Sequence, residues 1–430
     1  MIAPERRHRA DLAVAALLVV ILAVAAFGAW WASPARHASL GTAAVPIPEA
    51  VQATAVPDAV VEAWRTESPG SVVPLVARGA VISVRAHEIV GHDARSGDRA
   101  WSYRRAEAIC TVTATWNKVI AIFRGPRGCG EVSAFDPASG DRGPQRTSEA
   151  DDAVTIESNG SRFVSFGPAR LEAWRSDLVR TVEAGRVSAP IEPGLQPRAD
   201  CAIRDAAITQ SRIPMIVKCP DDVGERLVML ASDPESFREP EEFGDALLTR
   251  TDGTLGEVPG VDGARIVFAT PQSTVIAIPG DRPALAMFDG QANPRGRHEL
   301  PANVVPADVS REDGATAAHA FAGAGLPAVL AGDSGIRVWG AGAGLVALSP
   351  NDQRPIWEFP GSLGQPAMMA GSLLVPIASG IAVVDVRTGE QERLIPVERD
   401  GAPGSIHLAV VGEMIIEQRG DALVALAPRS

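Results

Sequence analysis

A short turn sequence recurs along the chain and constrains its fold more than any other feature. An apolar strand ends at an Asp, a Ser or Thr and then a Gly follow three and four residues later, and a second strand returns. The Asp caps the turn and the Gly supplies a tight reversal, so each unit is predicted to be a β-hairpin. The clear copies are Asp93, Ser96, Gly97 with Trp101; Asp136, Ser139, Gly140; and Asp385, Thr388, Gly389; a looser copy around Ser349 keeps only the spacing to Trp357.

Strand ends recur at similar intervals through the rest of the chain. Strands end near residues 93, 136, 174, 230, 289, 349, 385 and 426. This gives eight units of about 46 residues, the size of a four-stranded propeller blade. Residues 60–64 form a strand without a partner before it and residues 422–426 a strand without one after it, so their pairing would close a ring. Seven blades remain possible if residues 233–263 are an insertion, whereas a β-sandwich does not explain the repeated turn.

The turn residues resemble the tryptophan-docking motif of PQQ-like, or quinoprotein-type, β-propeller repeats, Asp-x-x-Ser/Thr-Gly-x-x-x-Trp. The copy that ends at Trp101 matches in full and the other copies match in part. The resemblance implies an all-β propeller of four-stranded antiparallel blades in which each docking tryptophan packs against the neighbouring blade. Within that family the chain is similar to membrane-anchored, cofactor-free propellers of actinobacterial envelopes. It is more distantly similar to the propeller lipoprotein that scaffolds outer-membrane protein assembly.

Motifs for catalysis are sparse. Quinoprotein dehydrogenases of this fold carry adjacent cysteines, a calcium site and an Asp base beside PQQ, but no two cysteines are adjacent here and the calcium cluster cannot be placed. His87 and His92 are five residues apart, so on a strand they point to opposite faces and share no metal. Residues 340–344 lack the Lys and Ser/Thr of a phosphate loop. Asp221 and Asp222 could bind calcium, although a carboxylate pair on a hairpin loop is more often solvated. We therefore predict no enzyme activity and no cofactor or metal.

The beginning of the chain contains one stretch long enough to cross a bilayer. Residues 12–31 are 20 residues without a charge, preceded by Arg6, Arg7 and Arg9 and ended by two tryptophans. A helix of this length spans about 30 Å of hydrocarbon, and the positive-inside rule places the N-terminus in the cytoplasm. A cleaved signal peptide is the alternative, but its apolar region is about 7–15 residues long.

These features divide the chain into four predicted parts. They are a cytoplasmic N-terminus at 1–11, a transmembrane anchor at 12–31, an Ala/Pro-rich linker at 32–58 and an extracytoplasmic propeller at 59–430. Fully extended, the linker could hold the propeller up to ~80 Å from the bilayer, but a partly coiled tether is expected. We therefore expect a single-pass protein of the cell membrane with its bulk outside the cytoplasm.

The four cysteines fall into two local pairs, Cys110 with Cys129 and Cys201 with Cys219. Each pair brackets two short apolar strands and a turn. Four cysteines allow three connectivities, and the oxidising compartment implied by the anchor favours two local disulfides. A metal or redox site is the alternative, but the sequence has no Cys-x-x-Cys and no His close to any of the four.

The charge balance restricts the partners. With 40 Lys+Arg against 52 Asp+Glu the net charge is −12, which repels a polyanion such as nucleic acid. A propeller without a catalytic motif is predicted to be a binding or scaffolding module in cell-envelope assembly or maintenance. An envelope protein is the expected partner, with a glycan or lipid as alternatives. The competing function is a PQQ-dependent or sugar-directed envelope enzyme.

Overall fold

Short antiparallel sheets follow one another along almost the whole chain. The computed structural model describes residues 9–31, 34–115, 118–187, 194–252, 256–301, 329–330, 334–341, 344–400 and 404–429. An apolar helix, Arg9–Trp31, and a 3-10 turn, Pro34–His37, come before the propeller. Within the described ranges the strands form eight sheets of at least four strands, which confirms the eight-bladed prediction.

Each sheet is one blade, and its strands are named A to D in spatial order. Their bounds are: blade 1, Leu75–Ala77, Ala80–Arg85, Glu88–Asp93, Arg99–Arg104; blade 2, Ile109–Thr115, Lys118–Gly125, Gly128–Phe135, Arg142–Thr147; blade 3, Thr155–Ser158, Arg162–Phe166, Arg170–Arg175, Arg180–Gly185; blade 4, Ala202–Ala206, Arg212–Lys218, Arg226–Ala231, Glu242–Leu247; blade 5, Arg265–Ala269, Ser273–Ile278, Ala284–Asp289, Pro294–Glu299; blade 6, Val329–Leu330, Arg337–Ala341, Gly344–Leu348, Pro355–Pro360; blade 7, Ala367–Met369, Ser372–Ile377, Gly380–Val384, Gln391–Pro396; blade 8, Ile406–Val411, Met414–Arg419, Ala422–Pro428, Val60–Glu67.

The A strands line the axis of the ring. Strand A of blade 1, for example, contacts strand A of blade 2 on one side and strand A of blade 8 on the other. Because the four strands of a blade form an antiparallel meander, its connections alternate between two ends. We call the end with the A–B and C–D turns the turn face. The end with the B–C turns and the connections between blades is the connection face.

The ring closes by sharing one blade between distant parts of the sequence. Strand D of blade 8 comes from the beginning of the propeller, Val60–Glu67, and pairs antiparallel with strand C, Ala422–Pro428. Val60 lies opposite Pro428, and Glu67 lies opposite Ala422. The predicted pairing is therefore confirmed, and the strand Val60–Glu67 completes blade 8.

The alternative of seven blades is wrong because residues 233–263 are not a simple insertion. They contribute strand D of blade 4, Glu242–Leu247, which pairs with strand C of the same blade. A separate hairpin, Thr249–Asp252 with Gly256–Pro259, then follows before blade 5. The weak sequence signal of this stretch reflects a half-exposed outer strand, which needs fewer apolar residues than an inner one.

Three tryptophans of the described part of the chain join consecutive blades. The indole of Trp101 in blade 1 donates to the carbonyl oxygen of Pro137 in the C–D turn of blade 2, at 2.7 Å. Trp64 of blade 8 donates to Ala94 of blade 1, and Trp357 of blade 6 donates to Val386 of blade 7, both at 2.9 Å. Each tryptophan thus docks on the turn of the next blade, and Trp64 makes this contact across the ring closure.

The recurring Asp and Gly have separate roles in these turns. In the first copy, Oδ1 of Asp93 accepts hydrogen bonds from the backbone N–H groups of Arg95 and Ser96. Gly97 has a φ of 77°, and a Cβ at that position would lie 2.5 Å from Cγ of Trp64. Only glycine therefore allows both the left-handed backbone and the close approach of the indole. The copies at Gly140 and Gly389 have the same geometry.

The turns of blades 3, 5 and 6 keep this backbone without the glycine. Leu178, Ala292 and Gln353 have φ values of 62°, 61° and 60°. In the blade 6 copy, the Gln353 N–H donates to the carbonyl oxygen of Ser349, as Gly97 donates to Asp93. No docking tryptophan contacts these three turns in the described part of the chain, so a side chain is tolerated there. This explains why their sequence copies look degenerate.

The Ala/Pro-rich segment is not the free tether that its composition predicts. Ser39–Gly41 adds a fifth strand to the outer edge of blade 1. Residues 42–59, which we call the strap, then cross the turn face: the N–H groups of Ala43 and Ile47 donate to the turn of blade 2, and Arg393 of blade 7 donates to the carbonyl oxygens of Val56 and Pro57. Pairing with a free strand edge and burial of Ile47, which is 5% exposed, outweigh the composition. A span of ~80 Å is therefore excluded.

Both predicted disulfides form. Cys110 is bonded to Cys129 in blade 2, and Cys201 to Cys219 in blade 4. Each bond joins the beginning of strand A to the B–C turn region of the same blade, on the connection face. The disulfides therefore hold the connection-face ends of blades 2 and 4, on either side of blade 3.

Replacement of Trp101 should destabilise the propeller strongly. Its side chain is 1% exposed and stacks on Phe135 of the next blade. Trp101→Ala should lower the free energy of unfolding by about 3–5 kcal/mol, measured by chemical denaturation. Val179→Ala, at a side chain that is 48% exposed, is the control and should change it by about 0.5 kcal/mol or less.

A second pair of variants separates the docking contact from the backbone effect. Gly140 and Gly160 have φ values of 76° and 81°, but only the added Cβ at Gly140 would meet Trp101. Gly160→Ala should cost about 1 kcal/mol, the penalty of the left-handed backbone alone. Gly140→Ala should lower the free energy of unfolding clearly more than Gly160→Ala does. Equal losses of stability for the two variants would contradict the docking role of Trp101.

Removal of one disulfide should destabilise the chain without changing its fold. The bonds close loops with sequence separations of 19 and 18 residues. The double variant Cys201→Ala/Cys219→Ala should therefore lose about 3 kcal/mol on the loop-entropy model. Non-reducing mass mapping of the unaltered protein is the accompanying check, and free thiols at all four positions would contradict both bonds.

Candidate functional site: an arginine-lined groove on the connection face

A polar groove opens at the rim of blade 3 on the connection face. Its volume is about 340 Å³. The walls come from the B–C turn and strand D of blade 2, strands C and D of blade 3, the connection into blade 4, and the C–D loop of blade 4, which folds back along strand D of blade 3. Five arginines and two glutamates, Glu149 and Glu183, line it, and the buried Glu172 lies directly beneath, so the groove carries an excess of two positive charges in a chain whose net charge is −12.

Two glutamates lie directly opposite each other at the base of the groove. Glu172 of strand C pairs in register with Glu183 of strand D, and both side chains are buried. Arg170 binds both carboxylates, at 2.7 and 2.9 Å, and Arg180 also contacts both. Arg146 reaches Glu172 from blade 2 at 3.1 Å. The arginines therefore cancel the repulsion of a like-charge cross-strand pair.

The buried network fixes the protonation of its central carboxyl. Burial alone raises the pKa of Glu172, but Arg146, Arg170 and Arg180 more than offset this effect and the pKa is lowered. The indole N–H of Trp174 also donates to Glu172, at 3.0 Å. Glu172 is therefore an ionised anchor that orients the arginines and does not serve as a proton donor.

The upper part of the groove carries donors that the protein does not use. Arg127 and Arg238 have no carboxylate partner among the described residues. Nε of Arg180 is a further buried donor without a hydrogen-bond partner in the same described part, whereas Oε1 of Gln196 is a buried acceptor without one. Guanidinium groups bind carboxylates and phosphates through paired N–H donors. The arrangement is thus suited to an anionic group.

The groove stands on a rigid base. The blades on both sides of blade 3 carry the two disulfides at this same face. The loop between strands C and D of blade 4 is tied to blade 3, because the Glu183 N–H donates to Phe237 and the Gln196 amide donates to Arg238. A site whose donors are held in place loses little entropy when a ligand binds.

The axial channel contains a second unusual carboxyl. Glu157 lies on strand A of blade 3, and Asp205 lies on strand A of blade 4. Burial raises the pKa of Glu157 to about 8, and the negative charge of Asp205 adds to this effect. Asp205 is held by the backbone N–H of Ile266 in blade 5, at 2.8 Å. Near neutral pH, Glu157 is therefore largely protonated.

This carboxyl should make stability depend on pH. Between its ordinary pKa of 4.5 and about 8, Glu157 keeps a proton in the folded protein that the unfolded chain releases. Stability is therefore lost as the pH rises through this window. Glu157→Gln should change the free energy of unfolding little at pH 4, below this window, and should raise it at pH 8 by at least about 1.4 kcal/mol, the value of one pKa unit.

Denaturation at several pH values gives the measurement. Glu49→Gln, at an exposed position on the strap, is the control for the loss of one carboxyl. Equal pH profiles for Glu157→Gln and the unaltered protein would contradict the raised pKa.

The strap forms an apolar surface on the opposite face. Val45 is 79% exposed and Val51 is 85% exposed, whereas Ile47 between them is buried in blade 1. Ala44, Pro46, Pro48 and Ala55 of the strap are also exposed, and the exposed polar residues of the segment are Thr42, Glu49, Gln52, Thr54 and Asp58. Prolines hold such a segment extended at low entropic cost. The turn face thus presents a preformed apolar ridge.

The remaining sequence candidates have structural roles. His92 is buried beside Ser83 and the Gly97 carbonyl oxygen, while His87 is exposed, so they share no site. Asp222 binds Arg226. The strands on either side of 342–343 pair as a hairpin, and those two residues lie outside the described ones. Within the described ranges no group of three or more His, Cys, Asp or Glu could hold a metal.

Sequence reasoning did not identify the groove. Its residues are spread over blades 2, 3 and 4, and no two of its unpaired donors share a motif. One signal was present: strand C of blade 3 contains Arg170 and Glu172 at buried positions of a strand. Charged residues on the inner side of a strand indicate a buried ion-pair network.

The fold and these sites define an eight-bladed β-propeller that follows an apolar helix. Residues 53–170 match the family model described as outer membrane protein assembly factor BamB. They run from the strap through blades 1 and 2 into blade 3, and the match confirms the resemblance to PQQ-like propeller repeats over that part of the chain. A search of curated proteins found no match.

Several solved structures are similar to this chain at low identity. The computationally designed Ika8 protein is 11% identical, with a TM-score of 0.51 over 90% of this chain and 100% of its own. BamB from Moraxella catarrhalis is 12% identical, with a TM-score of 0.49 over 86% of this chain and 99% of its own. Saccharomyces cerevisiae Sqt1 is 9% identical, with a TM-score of 0.49 over 90% and 100%. At these identities the similarity to Ika8 shows the fold alone.

Proposed function

We propose that the protein is a membrane-tethered binding and scaffolding module of the cell envelope, which acts by docking a protein partner and not by catalysis. The helix Arg9–Trp31 is the proposed tether: a 20-residue window of it has a mean hydropathy of 2.7 and none of it is buried against the propeller. The match of residues 53–170 to the BamB family model supports an envelope role.

The apolar ridge of the strap is the observation that carries the proposal. Binding of a partner to exposed valines on this segment costs little conformational entropy, because backbone hydrogen bonds already order the segment. Exposed apolar residues on a rigid support are typical of protein interaction sites. The only charged residue near the middle of the ridge is Glu49, so the surface fits an apolar protein partner better than a glycan.

The test is co-purification from native envelope membranes with a tagged full-length chain. Val45→Asp/Val51→Asp should reduce recovery of a stoichiometric protein partner more than about tenfold, since two apolar contacts are lost and two charges would be buried. Val223→Asp, at a valine that is 66% exposed on the connection face, is the matched control and should have no effect. Equal recovery with all three proteins would contradict docking on the strap.

The competing enzyme function has its own test. The full-length chain is incubated with PQQ and Ca²⁺ and passed through gel filtration. A quinone absorbance band that stays with the protein would favour a PQQ-dependent enzyme over the scaffold.

A further inference from the structure

The direction of strand Ser39–Gly41 shows on which face of the propeller the preceding helix Arg9–Trp31 lies. Strand D of blade 1 runs from the turn face to the connection face, because it follows the C–D turn. Ser39 lies opposite Arg104, near the end of that strand, and Gly41 lies opposite Ser102. The antiparallel strand Ser39–Gly41 therefore runs away from the connection face. The residues before it lie on the connection-face side.

The distance between the helix and this strand is short. Only residues 32–38 separate Trp31 from Ser39. Eight Cα steps of at most about 3.6 Å reach about 29 Å, and the 3-10 turn Pro34–His37 shortens this further. A helix embedded in a bilayer would thus hold the connection-face rim of blade 1 close to the membrane. The strap, on the turn face, would be directed away from it.

The arginine groove lies on the face that this geometry turns towards the bilayer. Blade 2, which supplies Arg127 and Arg146, is the immediate neighbour of blade 1. The net charge of −12 opposes general attraction to an anionic surface, so contact depends on a local positive site. Arg127 lies on the B–C turn of blade 2, and Arg238 reaches the groove because the C–D loop of blade 4 folds back along strand D of blade 3. Both are exposed and without a carboxylate partner among the described residues.

We propose that the connection face lies against the bilayer and that the arginine groove binds the phosphate of anionic lipid headgroups. The proposal rests on the membrane tether of the proposed function, but not on the strap as a docking surface. A phosphate diester offers two free oxygens to guanidinium donors, and the buried network of Glu172 keeps those donors in place. The groove then fixes the orientation of the propeller as well as its attachment.

The test measures which face approaches the lipid. The full-length chain is placed in nanodiscs of phosphatidylcholine, with or without phosphatidylglycerol, that contain a headgroup quencher. A fluorophore is attached through Val223→Cys on the connection face or Val51→Cys on the strap; the four native cysteines are disulfide-bonded and do not react. The label at 223 should be quenched, increasingly so with phosphatidylglycerol, and the label at 51 should not.

Matched charge variants assign the effect to the groove. Arg127→Gln/Arg238→Gln should weaken the phosphatidylglycerol-dependent equilibrium roughly 25-fold, about fivefold for each arginine. Arg95→Gln/Arg387→Gln removes the same charge from exposed positions on the turn face and should leave the quenching unchanged. High salt should remove the lipid-dependent part in the unaltered protein.

Each other result would overturn the proposal in a recognisable way. Stronger quenching of the label at 51 would show the opposite orientation, and equal loss with both arginine pairs would show a nonspecific charge effect. If inorganic phosphate in detergent changes the signal at 223 while phosphatidylglycerol does not, the groove binds a free phosphate. Failure of the chain to enter the nanodiscs would instead refute the tether, and so the proposed function.

Discussion

The pairing of Val60–Glu67 with Ala422–Pro428 is the interaction on which the rest of the structure depends. It supplies the outer strand of blade 8 and places Trp64 on the glycine turn of blade 1. A ring has no free end once it is closed, so each blade is supported on both sides by apolar contacts of its neighbours. Without this pairing, the first and last blades would both expose an apolar face.

The parts of the fold that sequence could predict are those with strict local chemistry. Gly97, Gly140 and Gly389 must be glycine because an indole lies against them, so their turns were recognisable. Leu178, Ala292 and Gln353 adopt nearly the same backbone without a docking tryptophan against the turn, and their blades could be counted only from strand ends. The disulfides were predictable because each closes within one blade, where sequence distance and spatial distance agree.

The parts that sequence could not predict depend on contacts between distant segments. The strap has the composition of a tether, and only the edge of blade 1 and a pocket for Ile47 give it a fixed path. The groove brings together Arg127, Arg180 and Arg238 from three blades, and their positions along the chain carry no common signal. The raised pKa of Glu157 likewise follows from the closed channel and not from its neighbours in sequence. The binding surfaces of this propeller therefore become visible only in the assembled ring, whereas its individual blades can be predicted from their turn sequences.

The shared blade also delays the completion of the fold during synthesis. Strand Val60–Glu67 leaves the ribosome long before its hydrogen-bonding partner, which ends at Pro428, 361 residues later than Glu67. At translation speeds of about 5–20 residues per second, the early strand waits roughly 20–70 s for that partner. Its alternating valines, tryptophan and charges keep it from being uniformly apolar during the delay. The strand Ala422–Pro428 is therefore needed to fix the much earlier strand Val60–Glu67 in place. A nascent chain that stops before Ala422 leaves blade 8 incomplete and the ring open.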